Sequence, residues 1–518
     1  MTGSATRWAR RVAFSSDRML IADPFLHWAG RNPAKTAVVF GNESVSYAEL
    51  RARATRVAMR VQAEQQLPTM PPCAIMLTHG IDFTTVFLGV TMAGAAAMIL
   101  DAKGNETALT NILAAHPSAL LFIEPAQAGM APALGAPLRT ICVGDGAPID
   151  LPRPADALAT IPCAASPDAP FYIGHTSGTT GDPKPFIRSH RSWLASLDAA
   201  AVEFPVDADD HVLVPGQPSQ SLFLYALVET LSFGATAYLL PRFDAGAVVT
   251  ALRRRPITRI HGVPTMYAGI CEAAAEARFP AVGALLSGGA KLAPALRSRL
   301  AQVFPHATIS EYYGASELSF VTVAQGDCPA DSVGRPFHGV RISIRRDDGS
   351  EVSPGEIGRL YVRSAMICTG LLVSSDNSGF RMRDGWATVG DLAWRDGRGR
   401  VYLAGREGGM IISGGLNIYP AEVEAVLHEL PEVAEAAVFG IPDSYWGEKV
   451  CAVMRWTDGA TLTRDALRAR CRQRLDRRKC PQQYFATERF DYTQSGKIAV
   501  AALRNELLRG KARLAEIA

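Results

Sequence analysis

The densest concentration of residues that could do chemistry is Thr176-Ser177-Gly178-Thr179-Thr180-Gly181-Asp182-Pro183-Lys184, which follows the short apolar run 171–173. Glycines admit backbone turns that side chains would block, so successive N–H groups can converge on one concavity and hold phosphate oxygens. The hydroxyls of Thr176, Ser177, Thr179 and Thr180 can donate into the same cup, and Lys184 adds a point charge suited to a leaving diphosphate. The spacing is not G-x-x-x-x-G-K-[ST], because no Gly-Lys pair closes it, which argues against an ordinary P-loop nucleotidase. A second glycine-rich turn, Ser287-Gly288-Gly289-Ala290, could let backbone approach a ligand closely.

The phosphate loop resembles the signature of the adenylate-forming superfamily, which includes acyl-CoA synthetases, stand-alone adenylation domains and firefly luciferase. The likeness begins near Asp23-Pro24-Phe25, passes through Ser46-Tyr47-Ala48-Glu49-Leu50 and ends at the lysine after Gly496, so it covers nearly the whole chain. It implies ATP, Mg²⁺ and either coenzyme A or a carrier protein's phosphopantetheine as the reacting partners. The segment Glu311-Tyr312-Tyr313-Gly314-Ala315-Ser316-Glu317 is similar to the family's Tyr-Gly-x-Thr-Glu element, with Ser316 in place of threonine. The resemblance puts Tyr312, Tyr313 and Gly314 at the nucleotide, with Tyr313 stacked on adenine, Ser316 at the α-phosphate and Glu317 on the metal, a hard cation that prefers oxygen ligands. Gly288, Gly289 and Ala290 then lie beside nucleotide or acyl group. Asp391, in Thr388-Val389-Gly390-Asp391, corresponds to the family's ribose ligand, and Arg406 to a second ribose contact with several donors in a fixed fork.

Bringing a carboxylate to a phosphate unites two anions, so a well-placed cation should matter most. Gln494-Ser495-Gly496-Lys497-Ile498 resembles the family's C-terminal Ser-Gly-Lys element, which makes Lys497 the residue that bridges the carboxylate and the α-phosphate. Thr176, Ser316, Glu317 and Lys497 form the catalytic set implied by the resemblance. Family members rotate the small domain after adenylation. The segment 405–420 covers that hinge, with Gly408 where relatives carry Asp or Lys and with Gly414 and Gly415 able to let a pantetheine arm pass. In the acyl pocket, Ser221 falls where amino-acid-activating relatives carry an aspartate, which disfavours an amino acid. Gln220 stands near a common histidine, and His261 belongs to a turn beside the acyl group. The implied reaction is acyl-adenylate formation followed by transfer to a thiol, most simply coenzyme A. A carrier-loading ligase is the alternative, and a luciferase-like oxygenase or an inactive binding protein are more distant readings.

The elements that must hold these groups are of α/β type. Up to about residue 404, strand-like runs such as 37–40, 74–77, 120–123 and 235–240 alternate with helical stretches, which predicts layered, largely parallel sheets flanked by helices. From 405 to 518 the pattern becomes a smaller, mobile α+β lid, with a helix over 421–429, strands over 434–440 and 449–456, and a helix over 463–475. The apolar run 86–100 reads as one buried helix, too short to span a bilayer, so no integral membrane segment is expected. The stretch 126–154, rich in Ala, Gly and Pro, reads as a surface connection. With 518 residues, 48% hydrophobic and 20% charged, and a net charge of only +3, the chain is globular and has too weak a field to make nucleic acid its partner. The expected partner is instead a small-molecule carboxylic acid, with an acyl carrier protein as a further candidate. Nine scattered cysteines without a C-x-x-C pair fit a reducing cytoplasm. The arginine-rich stretch 464–479 is read as a solvated helix face that could also meet an anionic acceptor.

Overall fold

The computed structural model describes residues 18–64, 71–101, 106–115, 120–130, 139–144, 165–177, 183–371, 380–407, 409–413, 416–443, 446–493, 496–510 and 513–517. Two large sheets dominate the first four hundred residues. In the nine-stranded sheet, six neighbouring strands run parallel: Thr308–Ala315, Ala284–Ser287, Arg259–Gly262, His211–Val214, Thr236–Leu239 and Thr36–Phe40. Antiparallel strands close both edges, Ser319–Ala324 with Arg335–Pro336 at one and Glu43–Ser46 at the other. The seven-stranded sheet is parallel from Pro170–Ser177 through Ala97–Ile99, Cys73–Met76 and Leu120–Ile123 to Arg139–Cys142. Pro183–Ser189 and Gly370–Leu371 are added antiparallel. The expectation of largely parallel sheets therefore holds for their centres and gives way to antiparallel pairing at the edges.

The helix Ile81–Met92 explains how the two sheets pack. Every residue in it except Asp82 is buried, as required of a helix that is apolar all round. Gly89 lets it approach the helix Tyr47–Glu64 closely, because a β-carbon there would stand 2.4 Å from Val57 Cβ. The apolar run 86–100 is thus not one helix. It turns at Gly94, with φ +87°, and its second half is the central strand Ala97–Ile99. Residues 126–154 also hold more structure than a plain connection, since the strand Arg139–Cys142 pairs in parallel with Leu120–Ile123; 131–138 and 145–154 lie outside the described residues.

A third, antiparallel sheet runs from Arg341–Arg345 to Val401–Arg406. The next strand, Ile411–Ser413, opens a fourth sheet with its own core around Val423, Leu427, Val450, Leu467 and Tyr484. That unit carries the helices Pro420–His428 and Arg464–Arg474 and the strands Val433–Asp443 and Gly447–Trp456, each within a few residues of expectation. Thr463 caps the second helix by accepting from the Ala466 N–H. Among the described residues no disulfide forms, and no helix is long and apolar enough to cross a membrane.

Candidate active site

The phosphate loop joins two adjacent strands of the seven-stranded sheet. Pro170–Ser177 and Pro183–Ser189 pair antiparallel, with Thr176 opposite Lys184 and Ser177 opposite Pro183. The two strands that flank the segment therefore form an antiparallel pair with a buried stem, in which Phe171, Tyr172 and Phe186 are all at most 1% exposed. Gly178, Thr179, Thr180 and Gly181 lie outside the described residues, as do Gly408, Gly414 and Gly415, and for Thr176, Ser177 and Lys184 only the backbone is described.

The segment 311–317 sits at the end of the strand Thr308–Ala315, where the two-residue period of a strand sends its tyrosines to opposite faces. Tyr312 packs inward against Phe204 and Phe320 and under Gly288, where a β-carbon would fall 2.6 Å from its ring. Tyr313 points the other way and donates its hydroxyl hydrogen bond to Asp391 Oδ2. Tyr313 and Tyr312, both predicted at the nucleotide, thus differ: one faces the site and the other supports the glycine turn beneath it. Gly289, with φ +85°, and Ala290 are exposed at the rim of that turn. The buried Glu311 holds the turn's far side by accepting from the Leu292 N–H at 2.9 Å and pairing with Lys291 and Arg297.

Asp391 and Arg406 are cross-strand neighbours at the ends of the strands Asp391–Arg395 and Val401–Arg406. Arg406 forks onto the Val389 carbonyl at 2.9 and 3.1 Å, which holds its Nε 3.5 Å from Asp391 Oδ1. Burial pushes the Glu317 carboxyl above the ordinary range, opposed by its own backbone N–H, Arg406 and Lys497 and reinforced by Asp391. Lys497 comes from the far end of the chain. It sits in a tight hairpin where Thr493 N–H donates to the Lys497 carbonyl at 2.7 Å and Gly496 adopts φ +76°. A β-carbon on Gly496 would lie 3.0 Å from Val263 Cγ2 and 3.2 Å from Thr265 Oγ1, so this hairpin is seated on the turn after the strand Arg259–Gly262. The residue keeps contact with water, yet partial burial lowers its ammonium below the usual lysine range, and the charges of Asp391, Arg406 and Glu317 all act on it. Four residues separated by up to 180 positions thereby share one electrostatic environment.

The acyl-pocket residues divide. Ser221 opens the helix Ser221–Ser232, with Gln220 at its N-cap, and Ser221 Oγ lies 3.3 Å from the Tyr172 hydroxyl and 3.5 Å from Ser316 Oγ. Ser221 therefore groups directly with Tyr172 and Ser316. His261 does not present its side chain to that group: it is 1% exposed, and Nε2 lies 3.3 Å from the buried Glu229, so only the turn it introduces reaches the site. Phe223 and Tyr267, near these residues in sequence, are 0% exposed and belong to the core. Three features were not anticipated from sequence. Tyr172 completes the hydroxyl trio. Glu407 accepts from Arg359 at 3.0 Å, with Arg381 3.7 Å away. Arg188 is a buried cation behind the 314–319 turn, and a charged residue among Phe186, Ile187 and His190 was the one sequence signal for it.

Among known proteins, the sequence profile of the family described as AMP-binding enzyme matches residues 25–372, and that of the AMP-binding enzyme C-terminal domain matches residues 422–497. An uncharacterized acyl-CoA ligase of Bacillus subtilis (strain 168) is 35% identical over 500 residues, covering 94% of this chain and 98% of that protein. A feruloyl-CoA synthase of Amycolatopsis sp is 32% identical, covering 92% and 96%. The solved structure of o-succinylbenzoate CoA synthetase from Bacillus subtilis, in complex with its acyl-adenylate intermediate, superposes with a TM-score of 0.78 at 26% identity, covering 93% of this chain and 97% of that one.

Proposed function

The chain belongs to the family of AMP-binding enzymes, and from that premise we propose how its residues divide the work of an acid-thiol ligase. It activates a carboxylic acid with ATP as the acyl-adenylate and transfers the acyl group to coenzyme A, the reaction class of its acyl-CoA ligase relatives. A carboxylate oxygen attacks the α-phosphorus as the bond to diphosphate breaks. The thiol sulfur then attacks the acyl carbon, and AMP leaves.

The observation that carries the assignment of residues is the seating of the Lys497 hairpin on Val263 and Thr265, which brings the lysine within the field of the neighbouring Asp391, Arg406 and Glu317. In this reading Lys497 neutralises the two approaching anions, an electrostatic contribution that grows as water is excluded. Tyr313 offers its ring to adenine, Asp391 and Arg406 hold the ribose, and Ser316 donates to the α-phosphate. Thr176, Ser177 and Lys184, with Gly178, Thr179, Thr180 and Gly181, hold the outer phosphates. Glu317 would hold the magnesium ion that accompanies ATP; its carboxylate is a hard oxygen donor in a site where burial disfavours its charge, so a cation beside it is favourable. That ion, when bound, neutralises phosphate charge. Ser221 and Tyr172 form the polar floor of the acyl pocket, which suits an acid without an α-ammonium group.

We place the boundary between the large domain, 1–404, and the small one, 405–518, with the hinge at 406–409. The tie of Glu407 to Arg359 fixes the near side of that hinge, and the Gly409 N–H donates to the Arg406 carbonyl at 2.9 Å on its far side. Rotation would withdraw Lys497 and admit the thiol past Gly414 and Gly415. The relatives name coenzyme A as the acceptor, and nothing favours a carrier protein over it. We assign the enzyme to the cytoplasm, in keeping with its lack of disulfides among the described residues.

The test is diphosphate release with ATP and Mg²⁺ over a panel including ferulate, indoleacetate, 2-succinylbenzoate, malonate and long-chain fatty acids, with and without coenzyme A. One or a few acids should release diphosphate, and coenzyme A should accelerate turnover. Absence of acid-dependent exchange of labelled diphosphate into ATP across the panel refutes the function.

A further inference from the structure

Arg188 lies on the strand Pro183–Ser189, which carries the chain away from the phosphate loop, and is 3% exposed. Among the described residues no carboxylate pairs with it. Its donors go instead to neutral oxygens: Nε to Ser192 Oγ at 3.1 Å, one terminal nitrogen to the Ser316 carbonyl at 3.4 Å, and the other to the Met366 carbonyl at 2.8 Å, the Ser192 carbonyl at 3.2 Å and Ser196 Oγ at 3.3 Å. The guanidinium also stands 5.0 Å from the centre of the Trp193 ring. Burying an unpaired cation costs several kcal/mol unless its hydrogen bonds are well made, so a strand position that could hold an apolar residue holds an arginine at a real expense.

The turn it reaches is a strained one. Ser319 adopts φ +61°, and a β-carbon on Gly314 would fall 2.2 Å from the Ser319 carbonyl oxygen. Three contacts from behind hold this turn in place: Arg188 on the Ser316 carbonyl, the Cys368 N–H on the Glu317 carbonyl at 2.8 Å, and Ser196 Oγ on Ser319 Oγ at 3.0 Å. Arg188 touches two of these partners directly and, through Met366, the segment that supplies the third. That segment continues into Gly370–Leu371, which pairs with Ile187 and Phe186 on Arg188's own strand.

We propose that Arg188 is a positioning residue for the adenylation half-reaction: a buried guanidinium that straps the turn bearing Ser316 and Glu317 to the strand leaving the phosphate loop. Only a fork of several fixed donors reaches three chain segments at once, which a lysine's single point charge does not. The strap turns the carbonyls of Ser316 and Glu317 inward and so leaves the Ser316 hydroxyl and the Glu317 carboxylate facing the nucleotide. This rests on the functional reading above, because the turn has a role only if ATP binds there.

The two half-reactions separate the strap from a general structural part. Adenylation needs Ser316 and Glu317 in place, whereas attack of coenzyme A on preformed acyl-adenylate does not. In Arg188→Met, acid-dependent ATP–diphosphate exchange should fall about 10- to 100-fold, the loss of one or two charge-assisted hydrogen bonds. The fall should lie in the maximal rate more than in KM for the acid, with a higher Mg²⁺ requirement. Thioester formation from preformed acyl-adenylate should stay within about 3-fold of wild type, and Arg188→Lys should recover part of the exchange. Unchanged exchange, or equal loss of both halves in a variant whose denaturation midpoint matches wild type, overturns the proposal. Should Arg188→Met fail to fold, Ser196→Ala decides: a fall in exchange of about 3- to 10-fold with thioester formation intact supports the strap, and unchanged exchange overturns it. Loss of exchange in the wild-type protein would instead overturn the functional reading, so the two failures are distinct.

Discussion

Replacing Lys497 with alanine should divide the reaction in two. The ammonium comes within the field of Asp391, Arg406 and Glu317, and Gly496 beside it is seated on Val263 and Thr265. At contact, with an effective dielectric near 20, one unit charge acting on another is worth about 4 kcal/mol. The water contact that Lys497 keeps weakens this to about 3 kcal/mol, or roughly 10²-fold in rate. That agrees with the 10²–10³-fold typically lost with one electrostatic stabiliser. The assay is exchange of labelled diphosphate into ATP with the acid found by panel, set beside release of AMP from purified acyl-adenylate on adding coenzyme A. Exchange should drop at least about 10²-fold while the second step stays within a few-fold. Equal loss in both steps, with unchanged thermal stability, would refute the division of labour between the two domain positions.

Asp391→Asn should raise KM for ATP about 10- to 100-fold with little change in stability, because it removes a charge-assisted acceptor while the Tyr313 hydroxyl keeps a partner; initial rates against ATP concentration measure this. Glu407→Gln should raise KM for ATP about 5-fold, since a part-exposed ion pair is worth about 1 kcal/mol and its loss frees the adjacent Arg406. Glu424, in the small domain, accepts from the Val438 N–H, and burial pushes its carboxyl up from 4.5 to about 7. The native state then binds the proton more tightly than the unfolded chain, so this group's stabilising contribution is full below about pH 4.5 and is lost as pH rises through about 7. Glu424→Gln stays neutral throughout. The full shift corresponds to at most about 3 kcal/mol, and partial exposure reduces the expected gain over wild type at pH 8 to about 1–2 kcal/mol, with no gain at pH 4.5, by urea denaturation.

Much of this was readable from local pattern. The runs 311–317, 388–391 and 494–498, which we assign to adenosine, ribose and the catalytic lysine, are each short and combine residue types that suit one part of a nucleotide. The small-domain helices and strands were legible within a few residues, because amphipathic periods and the cap at Thr463 are local signals. The run 86–100 was not, since a buried helix and a buried central strand are equally apolar and only Gly94 marks the turn between them.

Residue order told which groups could meet a nucleotide, because glycine conformations, hydroxyl donors and carboxylate charge belong to the residues themselves. Their placement depended on contacts made at long range. The strand register gives Tyr313 to the site and Tyr312 to the core, a distinction of one position that composition cannot make. The turn of His261 toward Glu229, the ion pair that fixes Glu407 and the guanidinium behind Ser316 all join residues 32 to 128 positions apart. The free energy of such contacts depends on burial and on which partners packing brings within reach, and neither is a property of a stretch of chain read alone.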